Sequence, residues 1–288
     1  MAKQLVSVCI TTYNEKGEDI KKLLDALNNQ TLKPDEIIII DAKDYNNCSR
    51  SKGRNIAIKK ARNEIIAITD AGCVPHRDWL EEITKPYTEV ARRNHIGSGI
   101  VIVVAGGYTM VFNNNFEKAE SIFLGVNSNN MDDDFMPSAR SMAFTKSIWK
   151  KAGGFPEKMG DTAEDTVFNI NLIKAGAKFV VAKDAFVDWQ MPRKISDFGF
   201  KIYRYAKGDA ISAIWWHPVK KWQTHNLKIL TIFVRYILFA IFPWLILFYF
   251  FYAYIKAGFW GIVLQFTSDI SCIIGFSHGI LQKSFKRS

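Results

Sequence analysis

An aromatic residue and two aspartates, each just beyond a short apolar segment, are the first side chains in this sequence whose types and spacing suggest a binding site. The apolar segments cover 5–10, 36–40 and 64–69, and the polar residues are Tyr13, Asp41 and Asp70. If the segments are neighbouring parallel strands, the polar residues meet at the edge where ligands bind in open α/β sheets. The spacing therefore predicts a ligand site at this edge.

The elements that would position these residues alternate in type. Ile20, Leu23, Leu24 and Leu27 form the apolar stripe of an amphipathic helix, and a second helix is predicted over 53–62. Strands that are apolar on both faces are typical of a parallel sheet covered by helices. We therefore predict a Rossmann-like α/β domain with a mostly parallel sheet over 1–192.

Further elements of this domain follow from the same patterns. They are helices over 79–90 and 164–175 and strands over 99–104, 108–112, 138–144, 179–181 and 185–189.

The C-terminal part of the chain has a different composition. Residues 236–255 carry no charge, and 257–282 carry one acidic residue, Asp269. Because about 20 apolar residues cross the hydrocarbon of a bilayer, the pattern predicts a transmembrane hairpin and a basic tail over 229–288. Gly275 and Gly279 are predicted to pack within this hairpin.

The net charge of +10 is confined to the end of the chain. Residues 190–288 hold 13 Lys and Arg against three Asp, whereas the preceding residues are balanced. Lysines, arginines and aromatic residues mix over 193–228, which we interpret as a segment on an anionic membrane surface. A nucleic-acid partner is not expected, since the globular part has no excess charge.

Basic residues flank the predicted hairpin on both outer sides. The positive-inside rule therefore predicts an integral membrane protein whose globular domain lies on the cytoplasmic face.

Six short motifs, spread over about residues 5–210, occur in an order typical of one family. They are Val6–Glu15 (VSVCITTYNE), Glu36–Asp41 (EIIIID), Gly53–Ala57 (GRNIA), Ile68–Cys73 (ITDAGC) with Trp79-Leu80, Ser138–Phe144 (SARSMAF) with Gly153-Gly-Phe155, and Ala163-Glu-Asp165. The chain resembles the family 2 inverting glycosyltransferases with the GT-A fold.

The resemblance implies a nucleotide-sugar site at the strand ends. Tyr13 would face the base, Asp41 would hydrogen-bond it, and Arg54 would pair with the diphosphate. The full set of donor-binding residues implied is Thr12, Tyr13, Glu15, Asp41, Arg54 and Asp70. A strand-end core role for Tyr13 and a solvated helix arginine are the alternatives.

The resemblance also implies a divalent cation, Mg²⁺ or Mn²⁺, at Asp70. This residue matches the first acid of an Asp-x-Asp motif, but Gly72 stands where the second acid would be. One carboxylate and the donor phosphates would hold the cation. Alternatively, Asp70 binds ribose and basic residues neutralise the diphosphate.

The carboxylate pair Glu164 and Asp165 matches the catalytic motif of the family. The resemblance implies that Asp165 is the general base and that Glu164 orients the site, whereas a dipole effect at the start of a helix would explain the same residues. Arg140, Trp189 and Arg193 are expected on the acceptor side.

A processive enzyme is not expected. Residues 190–193 are similar to the Gln-x-x-Arg-Trp motif of processive synthases, but Lys194 replaces its tryptophan. We therefore expect inverting transfer of one sugar from a nucleotide-diphosphate sugar to a membrane-associated, lipid-linked glycan acceptor.

Two other functions remain open at this point. One is a degenerate protein that binds a nucleotide sugar without turnover, which the missing second acid at Gly72 favours. The other is a membrane scaffold whose α/β domain binds a partner protein.

Overall fold

Seven strands form one sheet in the order β2-β1-β3-β6-β5-β7-β4. The computed structural model describes residues 5–13, 15–93, 101–124, 131, 135–159, 162–214 and 225–285. The strands are β1 (Val6–Thr12), β2 (Glu36–Asp41), β3 (Ile65–Ile68), β4 (Cys73–Pro75), β5 (Ile102–Val111), β6 (Met142–Thr145) and β7 (Lys178–Gln190).

The chain folds into two compact units. The first contains Met1–Met110, Asn127–Gly160 and Glu164–Gln190, and the second contains Val111–Val126, Asp161–Ala163 and Met191–Ser288. The second unit thus also takes Val111–Val126 and Asp161–Ala163, which lie inside the α/β domain predicted over 1–192.

The first unit has a mixed sheet. β1 pairs in parallel with both β2 and β3, which confirms the predicted arrangement of the three apolar strands. The pairs β3–β6, β4–β7 and β5–β6 are antiparallel. The sheet is therefore less parallel than expected, because apolar segments of this length do not specify strand direction.

Helices of the first unit pack on this sheet. They are α1 (Gly17–Asn28), α2 (Arg50–Lys60), α3 (Trp79–Arg93), α5 (Lys146–Lys151) and α6 (Glu164–Lys174). Phe144, Phe155 and Phe168 form the centre of a core in which Phe155 stacks on Phe168 at 4.0 Å between ring centroids.

Two strands each replace two predicted ones. β5 continues through Gly106 and Gly107, which lie between the strands predicted over 99–104 and 108–112. A Cβ on Gly106 would lie 2.0 Å from Ser141 Oγ and 2.6 Å from the carbonyl oxygen of Ala185, so this glycine permits close packing of neighbouring chain. β7 likewise continues through the exposed pair Lys183 and Asp184, between the strands predicted over 179–181 and 185–189. The short strand β4 was not predicted.

The second unit is helical in its described residues. It contains α4 (Asn115–Leu124), which was not predicted, together with α7 (Ile195–Ser212), α8 (His225–Ile241) and α9 (Leu245–Phe285). The predicted surface segment begins as α7, and residues 215–224 lie outside the described part. The flanking cations Lys220, Lys221, Lys286 and Arg287 lie outside it as well.

The predicted span over 236–255 is divided in the structure. α8 ends at Ile241, one residue before the Phe242-Pro243 peptide, and α9 begins at Leu245. Proline lacks the N–H that a continuing helix would need. α9 is itself interrupted by non-helical backbone at Ala257 and Gly258, so the apolar segment consists of three helical pieces.

By length and composition alone, one helix in the described part of the chain could cross a membrane. It covers Leu245–Ser284 within α9, and a shorter apolar helix covers Ile229–Ile241.

The predicted packing of Gly275 and Gly279 within the hairpin is wrong. A Cβ on Gly275 would meet the backbone of Tyr203, and one on Gly279 would meet Ala210 and the backbone of Lys207. Both glycines therefore lie against α7, because their lack of a side chain lets the two helix backbones approach closely.

Candidate functional site

The ends of β1 and β2 lie side by side. Thr12 is the register partner of Asp41 in the parallel pair, so the first two predicted strand ends meet as expected. Asp41 Oδ1 accepts a hydrogen bond from the Lys43 N–H at 3.0 Å and caps a short 3₁₀ turn. Just beyond β1, the Tyr13 N–H donates to Glu15 Oε2 at 2.5 Å.

A buried arginine joins two carboxylates that are 94 residues apart in sequence. Arg54 Nη2 donates to Asp70 Oδ1 at 2.7 Å, and Arg54 Nη1 donates to Glu164 Oε1 at 2.8 Å. The Arg54 side chain is only 5% exposed, and its guanidinium lies 5.3 Å from the centroid of the Phe155 ring. The network brings the end of β3 beside the start of α6.

The charges in this network shift the acidity of both carboxylates. Desolvation would raise the pKa of Asp70, but the guanidinium of Arg54, assisted by Arg140 and Arg50, holds it below its usual range. Burial raises the pKa of Glu164, and the charge of Arg54 opposes this rise. Asp70 is therefore ionised at neutral pH, next to three cations.

Three consecutive residues of α2 hold the network in place. Gly53 packs against β1, where an added Cβ would lie 2.3 Å from Thr11 Cγ2. Arg54 makes the two ion pairs. Asn55 Nδ2 donates to the Phe155 carbonyl at 2.9 Å, and Asn55 Oδ1 accepts from the Phe155 N–H at 2.9 Å. The Gly53-Arg-Asn55 motif thus fixes the segment that carries Phe155.

The carboxylates Glu164 and Asp165 are the first two residues of α6. Glu164 is buried against Arg54, whereas Asp165 is half-buried and accepts a hydrogen bond from the Thr166 N–H at 2.7 Å. Asp165 therefore keeps partial access to solvent at the start of a helix. This position fits both interpretations made from the sequence, a dipole role and a proton acceptor.

Arg140 and Trp189, both assigned to the acceptor side, are in contact. The Arg140 guanidinium lies 4.0 Å from the Trp189 ring centroid and 5.1 Å from that of Tyr108, and Arg140 Nη1 donates to Ser138 Oγ at 3.1 Å. Arg140 also acts electrostatically on Asp70. The first unit thus brings a cation on an aromatic platform close to the strand-end carboxylate.

Two participants were not identified from the sequence. Arg50 forms an ion pair with Glu15 at 3.5 Å and lowers the pKa of Asp70. Its position four residues before Arg54 on α2 is the signal that could have found it, since such residues share a helix face. Tyr108, in β5, had no signal in the sequence.

Arg193 is exposed and belongs to the second unit, three residues after the end of β7. Its assignment to the acceptor side stays a prediction.

The donor atoms near Asp70 limit how a divalent cation can bind. Within the residues that the structure describes, no three His, Cys, Asp or Glu side chains are grouped as metal ligands. Asp70 offers one carboxylate, one oxygen of which is bonded to Arg54. Mg²⁺ is commonly held by one or two carboxylates together with substrate phosphates, so these residues fit a cation that arrives with the donor.

Two family models match the sequence, and both describe family 2 glycosyl transferases. The model of the glycosyl transferase family group 2 matches residues 65–273, and that of the glycosyl transferase family 2 matches residues 7–49. No curated protein matches the sequence.

Among solved structures, the chain is similar to the crystal structure of S. aureus TarS. The identity is 16% and the TM-score 0.46, over 79% of this chain and 47% of that one. The chain thus spans about half the length of this relative. On the family match, which covers most of its length, the chain belongs to the glycosyl transferase family group 2.

Proposed function

We propose that this protein transfers one sugar from a nucleotide-diphosphate sugar to a hydroxyl group of a membrane-associated, lipid-linked glycan, with inversion at the anomeric carbon. Family membership supports glycosyl transfer. The donor, the acceptor and the stereochemistry are parts of the proposal.

The observation that carries the proposal is the buried contact of Arg54 with both Asp70 and Glu164. It joins the strand-end carboxylate expected on the donor side to the segment that contains Asp165. The donor diphosphate and the acceptor hydroxyl must lie on opposite sides of the reacting carbon, so a site for inversion needs two such groups at a fixed separation.

In the proposed mechanism, Asp165 accepts the proton of the acceptor hydroxyl. The oxygen then forms a bond to the anomeric carbon while the bond from that carbon to the diphosphate oxygen breaks, and the diphosphate leaves with the electron pair. One carboxylate suffices because this leaving group departs without a proton. Arg54 keeps Glu164, and thereby the start of α6, in position.

The leaving diphosphate needs compensating charge. Arg50 and Arg140 both act on Asp70, and they would bind the phosphates directly. Asp70 would hold Mg²⁺ or Mn²⁺ together with those phosphates, and the cation would supply further neutralisation of the leaving group. Thr12, Tyr13, Glu15 and Asp41 would receive the nucleoside.

The proposed acceptor class follows from the apolar helices. α9 contains a stretch that is long and apolar enough to cross a membrane, and the residues before and after the helices are rich in Lys and Arg. Such a protein would work on a substrate at the membrane surface, and the positive-inside rule favours the cytoplasmic face.

A screen of nucleoside diphosphates tests this function. UDP, GDP, CDP, ADP and dTDP are added to the protein in detergent with and without Mn²⁺, and the melting temperature is measured. We expect one of them to raise it, because a ligand that binds only the folded state stabilises that state. The matching nucleotide sugar should then be hydrolysed slowly by the wild-type protein.

The two alternative functions predict other results. A degenerate binder would show the thermal shift with every nucleotide sugar remaining intact. A scaffold would show neither the shift nor hydrolysis, and that result would contradict the proposal.

A further inference from the structure

The apolar residues of α8 and α9 are strongly exposed over a short region that begins in the second half of α8. Nine of them, all 56–72% exposed, form a set that we call the apolar wedge. They are Ile237, Ile241, Trp244, Leu247, Phe248, Phe251, Tyr252, Tyr254 and Ile255. Large apolar side chains exposed in such number over a short region mark a membrane or protein contact.

One face of α9 after Gly258 packs against other helices of the second unit. Gly199 of α7 lies against Thr267 and Ser271, and the backbone of Tyr203 lies against Gly275. At the other end, the Trp260 ring meets the Phe116 ring of α4 at 4.9 Å between centroids.

The pairing with α7 conflicts with a position in hydrocarbon. The helix part 259–285 has 27 residues, and a membrane-spanning window of about 20 residues, wherever it is placed, includes 266–278. That is the region paired with α7, which carries Lys201, Arg204 and Lys207. Spanning would bring these charges into the hydrocarbon, where they are costly.

The apolar wedge is also too short to span. The part of α9 before Ala257 has 12 residues, which at 1.5 Å each extends about 18 Å, and α8 extends about 25 Å. The hydrocarbon core of a bilayer is about 30 Å thick.

The turn between α8 and α9 is suited to lipid. The Phe242 N–H donates to the Leu238 carbonyl, and the N–H groups of Leu245 and Ile246 donate to the carbonyls of Phe242 and Pro243. Proline has no N–H to satisfy. Backbone polar groups in hydrocarbon must be paired within the protein, and this turn largely fulfils that condition.

A cluster of polar side chains joins the apolar wedge to the part of α9 after Gly258. The buried Asp269 accepts hydrogen bonds from Arg235 of α8 at 2.8 Å, from Tyr249 at 2.7 Å and from Gln265 at 3.0 Å. Asp269 thereby joins α8 and both parts of α9 at a single point. From Arg235 to the end of α8 at Ile241, the helix advances about 9 Å, which is less than the depth of one leaflet.

The second turn, at Ala257 and Gly258, also makes contacts within the second unit. Lys256 lies 3.8 Å above the ring of Phe123 in α4, immediately before the non-helical Ala257 and Gly258. In a two-span hairpin this turn would lie on the far side of the membrane. Here it contacts α4, and the Phe123 ring of α4 lies 6.1 Å from the Phe198 ring of α7, the helix against which Gly279 packs.

From these contacts we propose that the apolar wedge enters one leaflet and returns to the same face, so that the protein is monotopic rather than anchored by a two-span hairpin. The lipid acyl chains of that leaflet are the partner of the exposed side chains. The inference rests on the membrane association proposed above and not on glycosyl transfer.

Sided labelling of single cysteines tests the inference. Full-length protein with Cys272 replaced by Ala is made with Ala257→Cys, Phe259→Cys, Ser284→Cys or Trp244→Cys, and melting in detergent confirms folding. The remaining cysteines Cys9, Cys48 and Cys73 are buried. A membrane-impermeant maleimide is then applied to each face of sealed vesicles.

We expect Ala257→Cys, Phe259→Cys and Ser284→Cys to react from the same face, and Trp244→Cys to stay unlabelled until detergent is added. Phe259→Cys repeats the measurement at a side chain that makes little packing contact, in case Ala257→Cys does not fold. Labelling at 257 and 259 from the face opposite to 284, or only after detergent, would overturn the proposal. Rapid labelling of Trp244→Cys in intact vesicles would do so too, since the turn would then face water.

Discussion

Among the residues of the site, Arg54 is the one whose loss should lower the stability of the fold most. Its guanidinium pairs with two carboxylates, and removing it would leave the buried Glu164 without its cationic partner. Breaking a buried pair by removing one partner is strongly destabilising.

We predict that Arg54→Met lowers the free energy of unfolding by about 3 kcal/mol. The value is at the low end for such pairs because the Asp70 side chain is 35% exposed. Denaturant unfolding measures the loss. Arg62→Met is the control, since Arg62 is 80% exposed and pairs with Glu36 at 3.0 Å, and it should cost less than about 1 kcal/mol. Equal losses would contradict a special role for Arg54.

A substitution at Gly72 distinguishes two ways of neutralising the diphosphate, by a divalent cation at Asp70 or by arginines alone. A Cβ at this position meets no atom within 4 Å, and Gly72 is exposed, so an aspartate fits there without strain. A second carboxylate two residues after Asp70 would add a ligand for a hard divalent cation.

If a cation assists donor binding, Gly72→Asp should lower the Mn²⁺ concentration needed for half-maximal thermal stabilisation by the nucleoside diphosphate. Gly17→Asp, at another open glycine, should leave it unchanged. A Gly72→Asp protein with an unaltered Mn²⁺ requirement would favour neutralisation by Arg50 and Arg140 alone.

At the scale of elements, the pairing of α7 with α9 depends on close approach of two backbones. The Cβ of an alanine at Gly275 would lie 2.3 Å from the Tyr203 carbonyl oxygen. A backbone atom held within a helix cannot rotate away as a side chain can, so the helices must separate.

Gly275→Ala is therefore expected to destabilise the second unit by about 1–3 kcal/mol, the usual range for overpacking. Ile274→Ala removes a neighbouring side chain that is 55% exposed and should have little effect. Thermal unfolding in detergent compares the two variants. A Gly275→Ala protein as stable as wild type would show that α7 and α9 are not packed this closely.

The elements that sequence could predict are those with a strong local pattern. The apolar strands that end near Tyr13, Asp41 and Asp70 lie at one edge as expected, because their composition and the turns after them define both type and boundary. Gly106 and Gly107 were misleading, since a glycine that allows close packing inside a strand has the same local signature as a turn.

Contacts between distant residues could not be predicted. Arg54 and Glu164 are 110 positions apart, and nothing local indicates that they pair. The same limit applied to Gly275 and Gly279, whose spacing is typical of helix contact but does not name the partner helix.

At the scale of the whole molecule, composition predicts two regions. A balanced α/β part precedes a basic, apolar and helical part, and the structure has two units whose main boundary falls after Gln190. Composition did not indicate that Val111–Val126 joins the second unit, because that assignment follows from packing against α9 rather than from the charge of the segment.

The central claim is that Asp165 accepts the acceptor's proton in a site where donor binding depends on other residues. Asp165→Asn keeps the size and the helix-start hydrogen bond to Thr166 but cannot take up a proton at neutral pH. The measurement is turnover of the nucleotide sugar identified by the screen, alongside its Kd by thermal titration, for wild type and Asp165→Asn. The account predicts that kcat falls by about 10²-fold or more while Kd stays within a few-fold. An unchanged kcat, or a loss explained entirely by weaker donor binding, would contradict it.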